Sequence, residues 1–344
     1  MTPPAPHPPD PDAEPRGEPT APGGRIRVAH LADLHIGSPL RGLDDYPGAP
    51  EIDPERAPYA ALEALVRRVA EGPYDAVLVA GDVFDRAHAD ATALAAFQDA
   101  LGRFHDAGLV TAVISGNHDA ETPLPQKLHL PPSVRWLGAH APETVHWDHL
   151  GIAVHGQSIV EADDRRDIAA GYPRRIRGAF NIGLLHTSLH GAWSRKICAP
   201  TAVRTLEDAD YDYWALGHVH HRMRPPGSLF AGYPGNTHGR GPAERGGRGF
   251  TDLLIGAGGP AVREADTAPV RYESLRPRGA ATAEEDIRAR FAAVPPPTGP
   301  DGRSGAVVWT LEGPGGEDLL RLARGLARPE FMVCRAPTET RGAG

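Results

Sequence analysis

Cysteine is almost missing from this 344-residue chain: Cys198 and Cys334 stand far apart and outside any C-x-x-C pattern. A disulfide framework is therefore not expected, and a reducing compartment is the simpler expectation. No apolar run approaches the length that spans a bilayer. The stretch from Met1 to Gly24, rich in Pro, Ala, Asp and Glu, lacks the apolar segment of a signal peptide. No membrane association is expected, and the expected location is the cytoplasm. An excess of positive charge is absent too, with 36 Lys and Arg against 44 Asp and Glu and a formal charge of −8. That balance gives no overt signal for nucleic acid. It does not exclude a phosphate-rich substrate, because carboxylates committed to cations count as negative in the sum and a local basic strip suffices. No internal repeat is visible.

What is present is a loop-rich globular composition, 40% hydrophobic with 40 Gly and 36 Pro. The length suits one large core and a small accessory unit. Residues 1–24 read as a disordered Pro-rich tail. Order begins at Ile26, where "IRVAHLADLHIGS" is a short apolar strand with a polar end. A helix is expected over Ala57–Ala70, with Leu62, Leu65, Val66 and Val69 on one face. "YDAVLVAGDVFD" reads as a buried strand, a second helix spans about Ala91 to Ala107, and "LVTAVISGNHD" is another buried strand. This alternation predicts an α/β core. "SVRWLG", "TVHWDHLG" and "IAVHGQS" then suggest an antiparallel continuation. "FNIGLLHTS" and "YDYWALGHVHH" are further buried strands, and "SLFAGYPGN" and "GFTDLLIG" close a domain of residues 25–260. A small α+β unit follows over 261–337, built from "VRYESLR", a helix at Ala283–Ala293, "GAVVWTLEG", a helix at Glu317–Ala327 and "EFMVCR". Residues 338–344 read as a second disordered tail.

Metal-capable residues fall at the polar ends of the apolar strands. Asp33 and His35 form D-x-H, Asp82 lies in "GDVFD", Asn117 and His118 lie in "GNHD", His186 lies in "LLHTS", and His218 and His220 form "GHVH". Strand C-terminal ends converge on one rim of an α/β sheet, where sites of such folds lie. Glycines before Asp82, Asn117 and His218 are expected to let the chain turn there. Two aspartates, one asparagine carbonyl and four imidazoles exceed what one cation uses. Two cations sharing Asp82 use all seven: Asp33, His35, Asp82 and His220 on the first, Asp82, Asn117, His186 and His218 on the second. Oxygen and nitrogen donors suit Mn2+, Fe or Zn2+. A pair of such ions about 4 Å apart holds a hydroxide and polarises a phosphoryl oxygen. His118 is left over as the acid for the leaving oxygen, and Asp85 is the candidate carboxylate to orient it. His30 reads as a hydrogen-bonded core residue, Cys198 as a small core or loop residue, and His190 and His221 as neighbours of the cleft. Arg165, Arg166, Arg174, Arg175 and Arg177 form a basic cluster, read either as a solvated face or as a phosphate-backbone contact.

These motifs together resemble the signature of the calcineurin-like metallophosphoesterases. "HLADLHIGSPLRGL", "LLHTSLHG", "YDYWALGHVHHR" and "GYPGNTHGRG" are similar to stretches of SbcD/YhaO-type (Mre-like) DNA repair exonucleases, over roughly residues 26–256. The resemblance implies a four-layer α/β/β/α sandwich with a small capping domain, two Mn2+ ions, and phosphodiester cleavage in DNA. It further implies an SMC-like ATPase partner, though no C-terminal helices that would dock one are visible, and a homodimer. "YPGN" with Arg240 matches a loop near the metal cleft, which makes Arg240 a candidate phosphate contact. Asp85 matches the aspartate of the wider phosphatase pattern, where some nucleases of the group carry histidine. The expected function is a Mn2+-dependent exo- or endonuclease in DNA repair or defence against foreign DNA. The alternatives are a phosphodiesterase or phosphatase acting on a small molecule, and a non-catalytic subunit of a DNA-processing complex.

Overall fold

The structure is a computed structural model that describes residues 25–189, 196–225, 230–298, 304–312 and 316–336. The two tails expected to be disordered, 1–24 and 338–344, and His190 lie outside the described residues.

The first half alternates β1 (Ile26–Leu31), α1 (Ala57–Ala70), β2 (Ala76–Ala80), α2 (Ala91–Asp106), β3 (Val110–Ile114) and β4 (Val134–Trp136). Each helix carries its own start signal. Pro58 stands in the first turn of α1, where its missing N–H has no helical partner to lose. Asp90 caps α2 by accepting a hydrogen bond from Ala93 N at 2.8 Å, a contact worth about 1 kcal/mol. A second set of strands follows: β5 (Glu143–Trp147), β6 (Ile152–Gly156), β7 (Phe180–His186), β8 (Tyr213–Gly217) and β9 (Ala231–Gly232), with α3 (Val203–Asp208) between β7 and β8. β10 (Gly249–Ile255) and β11 (Ala261–Asp266) return to the first sheet.

The first sheet has the order β11-β10-β1-β2-β3-β4 and the second β5-β6-β7-β8-β9. Leu65, Val69, Phe97 and Phe104 of α1 and α2 pack on one face of the first sheet with Leu31, Val79 and Val113. Val28, Leu78 and Ile114 meet Val154, Ile182, Leu184 and Tyr213 between the two sheets. Leu206 of α3 and Ile168 cover the outer face of the second sheet with Leu185 and Trp214. Helix, sheet, sheet and helix are thus four layers, as the resemblance implies. Among the described residues no helix is long and apolar enough to cross a membrane.

Two details depart from the sequence reading. β4 pairs parallel with β3, rather than opening an antiparallel continuation; only β5 against β6 is antiparallel in that stretch. Residues 261–266 pair as β11 with β10 instead of beginning the appended unit. β11 is an edge strand with mostly exposed, charged residues, so it lacks the apolar alternation that reveals a strand.

The appended unit comprises β12 (Val270–Leu275), α4 (Ala283–Ala293), β13 (Ala306–Leu311), α5 (Gly316–Leu326) and β14 (Phe331–Arg335). Its three strands are all parallel, which the intervening helices permit. Ile287, Phe291, Leu320 and Trp309 fill the helix-covered face. The other face, Val270, Tyr272, Val308 and Met332, packs on Leu40, with Leu43, Tyr46 and Ile52 at its edge. The loop that follows D-x-H is thereby the seat of the unit. Tyr272 donates its hydroxyl to the Arg41 carbonyl at 2.8 Å, Arg324 pairs with Asp44 at 2.8 Å and stacks 3.8 Å over the Tyr46 ring.

Candidate metal centre

β1, β2 and β3 run parallel, as do β7 and β8, so both sheets deliver their C-terminal ends to one edge. The ladder continues past the strands, with Asp33 N bonding Gly81 O and His35 N bonding Asp82 O, both at 3.0 Å. The sheets are stitched together there by His186 Nδ1, which donates to the Ala80 carbonyl at 2.8 Å.

The turns at this rim are tight in a particular way. Gly81 takes a positive φ of 85°, but Gly116 and Gly217 do not. At Gly217 a Cβ would lie 1.9 Å from the Ala80 carbonyl oxygen, so this position is glycine for close approach rather than for turning. The strained residues are candidate ligands themselves: Asp33, His35, Asp82 and His218 have φ of 51°, 42°, 52° and 100°. Such conformations cost about 1–3 kcal/mol each and cluster at working sites.

All seven candidate donors come together. Ligating atoms of Asp33, His35 and His220 lie within 4.8 Å of one another, as do those of Asp33, Asp82 and His186. Hydrogen-bond accounting shows what they fit. His186 donates through Nδ1, so its Nε2 bears a lone pair; this faces Asn117 Oδ1 at 3.2 Å and Asp82 Oδ1 at 3.6 Å. His218 donates through Nε2 to the Lys196 carbonyl at 3.1 Å, which leaves its Nδ1 lone pair 3.0 Å from the same Asn117 oxygen. His220 donates through Nδ1 to Glu244 at 2.7 Å, and its Nε2 stands 3.1 Å from His35 Nε2 and 3.8 Å from Asp33. His35 Nε2 is also 3.6 Å from Asp82 Oδ2, and its buried Nδ1 has no hydrogen-bond partner. Buried acceptors aimed at acceptors are costly unless a cation lies among them. The side chains therefore fit divalent cations.

Electrostatics agree. Burial, then Arg240, pushes His35 well below its ordinary range, and burial with His186 lowers His218 to about 4. Both rings are neutral near pH 7 and present lone pairs. Burial raises Asp33, with Asp82 adding to the effect. Asp82 itself is held below the usual carboxylate range, because His186 and His118 outweigh the burial that alone would raise it.

His118 lines the mouth of the site and packs edge-on against His35, with ring centroids 4.7 Å apart. Asp85 stands 3.9 Å from His118 Nδ1, an ion-pair distance rather than a hydrogen bond. Its oxygens are shared with Ala87 N at 2.9 Å, His88 at 3.3 Å, Arg240 at 3.4 Å and His35 at 3.6 Å. Lys196 and Arg240 border the cleft, about 360 Å³ in volume, with the exposed His221 at its edge. A larger groove of about 630 Å³ between Tyr46 and α5 contains none of the candidate donors. In the basic cluster, Arg166 pairs with Asp164 at 2.6 Å and Arg175 with Asp212 at 3.0 Å. His30 is a core residue, bonded to the Tyr213 hydroxyl at 3.0 Å and to the Leu216 carbonyl at 3.2 Å.

Three neighbours escaped the sequence reading. Asp119, the last residue of G-N-H-D, accepts backbone hydrogen bonds from Val83, Phe84 and Gly116 and so locks two ligand loops together. Burial and Asp82 push its carboxyl up to about 7. Cys198 is buried with its sulfur within 4.8 Å of ligating atoms of His186 and His218. Glu244 contacts His220 from a Gly- and Pro-rich stretch that has no periodicity to betray it. Burial alone would raise its carboxyl, but the His220 hydrogen bond and the Arg240 guanidinium hold it well below the usual range.

A two-sheet sandwich with oxygen and nitrogen donors along one edge is the arrangement expected of the metallophosphoesterase fold. The chain belongs to the calcineurin-like phosphoesterase family, whose profile matches residues 26–222. Among its relatives, "Uncharacterized metallophosphoesterase YhaO" of Bacillus subtilis is 29% identical over 232 residues, 65% of this chain and 56% of that protein. "DNA double-strand break repair protein Mre11" of Methanopyrus kandleri is 28% identical over 217 residues, 57% of this chain and 44% of that protein. The chain thus spans about half the length of the curated relatives it matches. A dimetal phosphatase from Danio rerio is 10% identical, with a TM-score of 0.41 over 67% of this chain and 93% of that one.

Proposed function

We propose that the protein is a Mn2+-dependent nuclease that hydrolyses phosphodiester bonds of DNA. The observation that carries the chemistry is the pair of imidazole lone pairs, on His186 Nε2 and His218 Nδ1, that face the Asn117 side-chain oxygen at 3.2 and 3.0 Å across the rim. In this scheme Asp33, His35, Asp82 and His220 hold one ion, and Asp82, Asn117, His186 and His218 the other. Bound ions supply water activation and charge neutralisation at the phosphoryl group. His118 protonates the leaving oxygen from the mouth of the cleft. Asp85 keeps the His118 and His35 rings oriented, and Arg240 holds a non-bridging phosphate oxygen. Two features support DNA as the substrate: the cleft has cationic side chains, Lys196 and Arg240, along it, and one relative is named as a DNA double-strand break repair protein.

Incubation with Mn2+ and end-labelled single- and double-stranded DNA is expected to give shortened products that EDTA abolishes. Intact DNA alongside hydrolysis of a generic aryl phosphodiester would reject the substrate and keep the metal chemistry.

A further inference from the structure

Glu244 is the most heavily engaged carboxylate at this rim and lies outside every motif described above. Its Oε1 accepts from His220 Nδ1 at 2.7 Å and from Arg240 Nη2 at 3.1 Å. Its Oε2 accepts from Asn236 Nδ2 at 2.7 Å and from the Arg240 backbone N–H at 2.8 Å. The loop that presents it is itself anchored. Arg41 N bonds the Arg240 carbonyl at 2.9 Å, and Gly246 N bonds the Tyr272 carbonyl at 2.9 Å. Buried Arg248 bonds Asn236 Oδ1 at 2.7 Å and also reaches the His220 carbonyl. Glu244 therefore holds a fixed place relative to the His220 ring.

An imidazole has two nitrogens, and a partner on one decides which of them is free to bind a cation. A carboxylate on the distal N–H fixes the tautomer and ring angle and raises the basicity of the other nitrogen. Here that other nitrogen is His220 Nε2, which points at His35 Nε2 and Asp33. The corresponding distal contacts of His186 and His218 are to neutral backbone carbonyls, Ala80 and Lys196. One of the two positions thus has a carboxylate behind its histidine, shared with the Arg240 guanidinium that stands 2.9 Å from the same Nδ1, and the other has only dipoles.

We infer that Glu244 is a positioning residue that makes the Asp33–His35–His220 position the tighter of the two metal sites, and that it ties Arg240 to the same ligand. This inference rests on the dinuclear reading given above. The structural alternative is that Glu244 merely closes a loop, in which case its loss would lower stability without discriminating between the two ions.

The test is Mn2+ binding by titration calorimetry and by counting ions after dialysis, using the full chain. The wild type is expected to bind two ions in two distinguishable steps. Glu244→Gln preserves the shape and an oxygen for the backbone and Asn236 contacts. It should weaken the tighter step by about 10–100-fold and leave the weaker step within about twofold. His220→Ala, read in parallel, should remove the same step. The metal-free Glu244→Gln protein should melt below the wild type, because Arg240 loses a charged acceptor, and the Mn2+-induced rise should shrink in addition. Should Glu244→Gln fail to fold, Glu244→Asp, which keeps the charge but withdraws it from His220, is read in the same way. Two unchanged steps in the variant, or equal weakening of both, would overturn the role of Glu244. A wild type that binds no Mn2+ would instead overturn the metal-site reading beneath it.

Discussion

Replacing Asp82 by asparagine is expected to abolish dinuclear metal binding and to lower Mn2+-dependent hydrolysis by at least about 10⁴-fold. Losses of roughly that size follow when one member of a catalytic unit is removed, and 10⁴-fold corresponds to about 5.5 kcal/mol of barrier. Asp82 is the residue both proposed ion positions share: Oδ1 faces His186 at 3.6 Å and Oδ2 faces His35 at 3.6 Å. Its Oδ1 also accepts the His118 backbone N–H at 2.8 Å, which asparagine can still satisfy. The variant should therefore fold. Metal-free, it should be somewhat less stable than the wild type near neutral pH, because His186 and His118 favour the ionised form of Asp82 in the folded state. The linkage stabilisation is what disappears. An ion at a hundred times its Kd adds about 2.7 kcal/mol to the folded state, so Mn2+ should raise the melting temperature of the wild type and leave Asp82→Asn nearly unmoved. A variant that keeps two ions and full activity would rule out the bridge.

His118→Ala is the second large effect, and it should separate from the first. His118 stands at the cleft mouth beside His35 and is not in the proposed ligand set, so both ions should be retained while kcat falls by about 10²–10⁴-fold. The size of the loss should depend on the leaving group. A nitrophenolate departs without protonation, whereas the alkoxide of a nucleic-acid strand does not. Kinetics on an aryl phosphodiester and on DNA should thus show the smaller penalty on the aryl ester. Equal penalties on both substrates would assign His118 to phosphate binding instead of proton transfer. The 3.9 Å gap to Asp85 and the four other groups around that carboxylate make Asp85 a shared orienter, so its replacement should cost less than that of His118.

The gathering of the seven candidate donors was legible because each stands where an apolar run stops, and an apolar run in an α/β pattern is a buried strand. The helices α1, α2 and α4 were legible for a related reason: their apolar residues recur on one face, as with Leu62, Leu65 and Val69. What escaped reading has no such period. Glu244 lies in "GRGPAERGG", where only the fold brings it to His220. Cys198 is distant in sequence from His186 and His218 but is placed beside them by the end of β7 and the loop after it. β11 is polar because it is an edge strand, and β4 has too few residues for its sequence to state a direction. At two of the three rim glycines the backbone does not make the turn that the sequence suggests. At Gly116 and Gly217 the constraint is a neighbour's backbone or side chain within 2.3 Å of where a Cβ would stand, which no local pattern encodes.

Anomalous diffraction from crystals equilibrated with Mn2+ tests the central claim most directly. Two peaks are expected, one among Asp33, His35 and His220 and the other among Asn117, His186 and His218, with a carboxylate oxygen of Asp82 on each. A single peak, or two peaks that do not share Asp82, would contradict the dinuclear site.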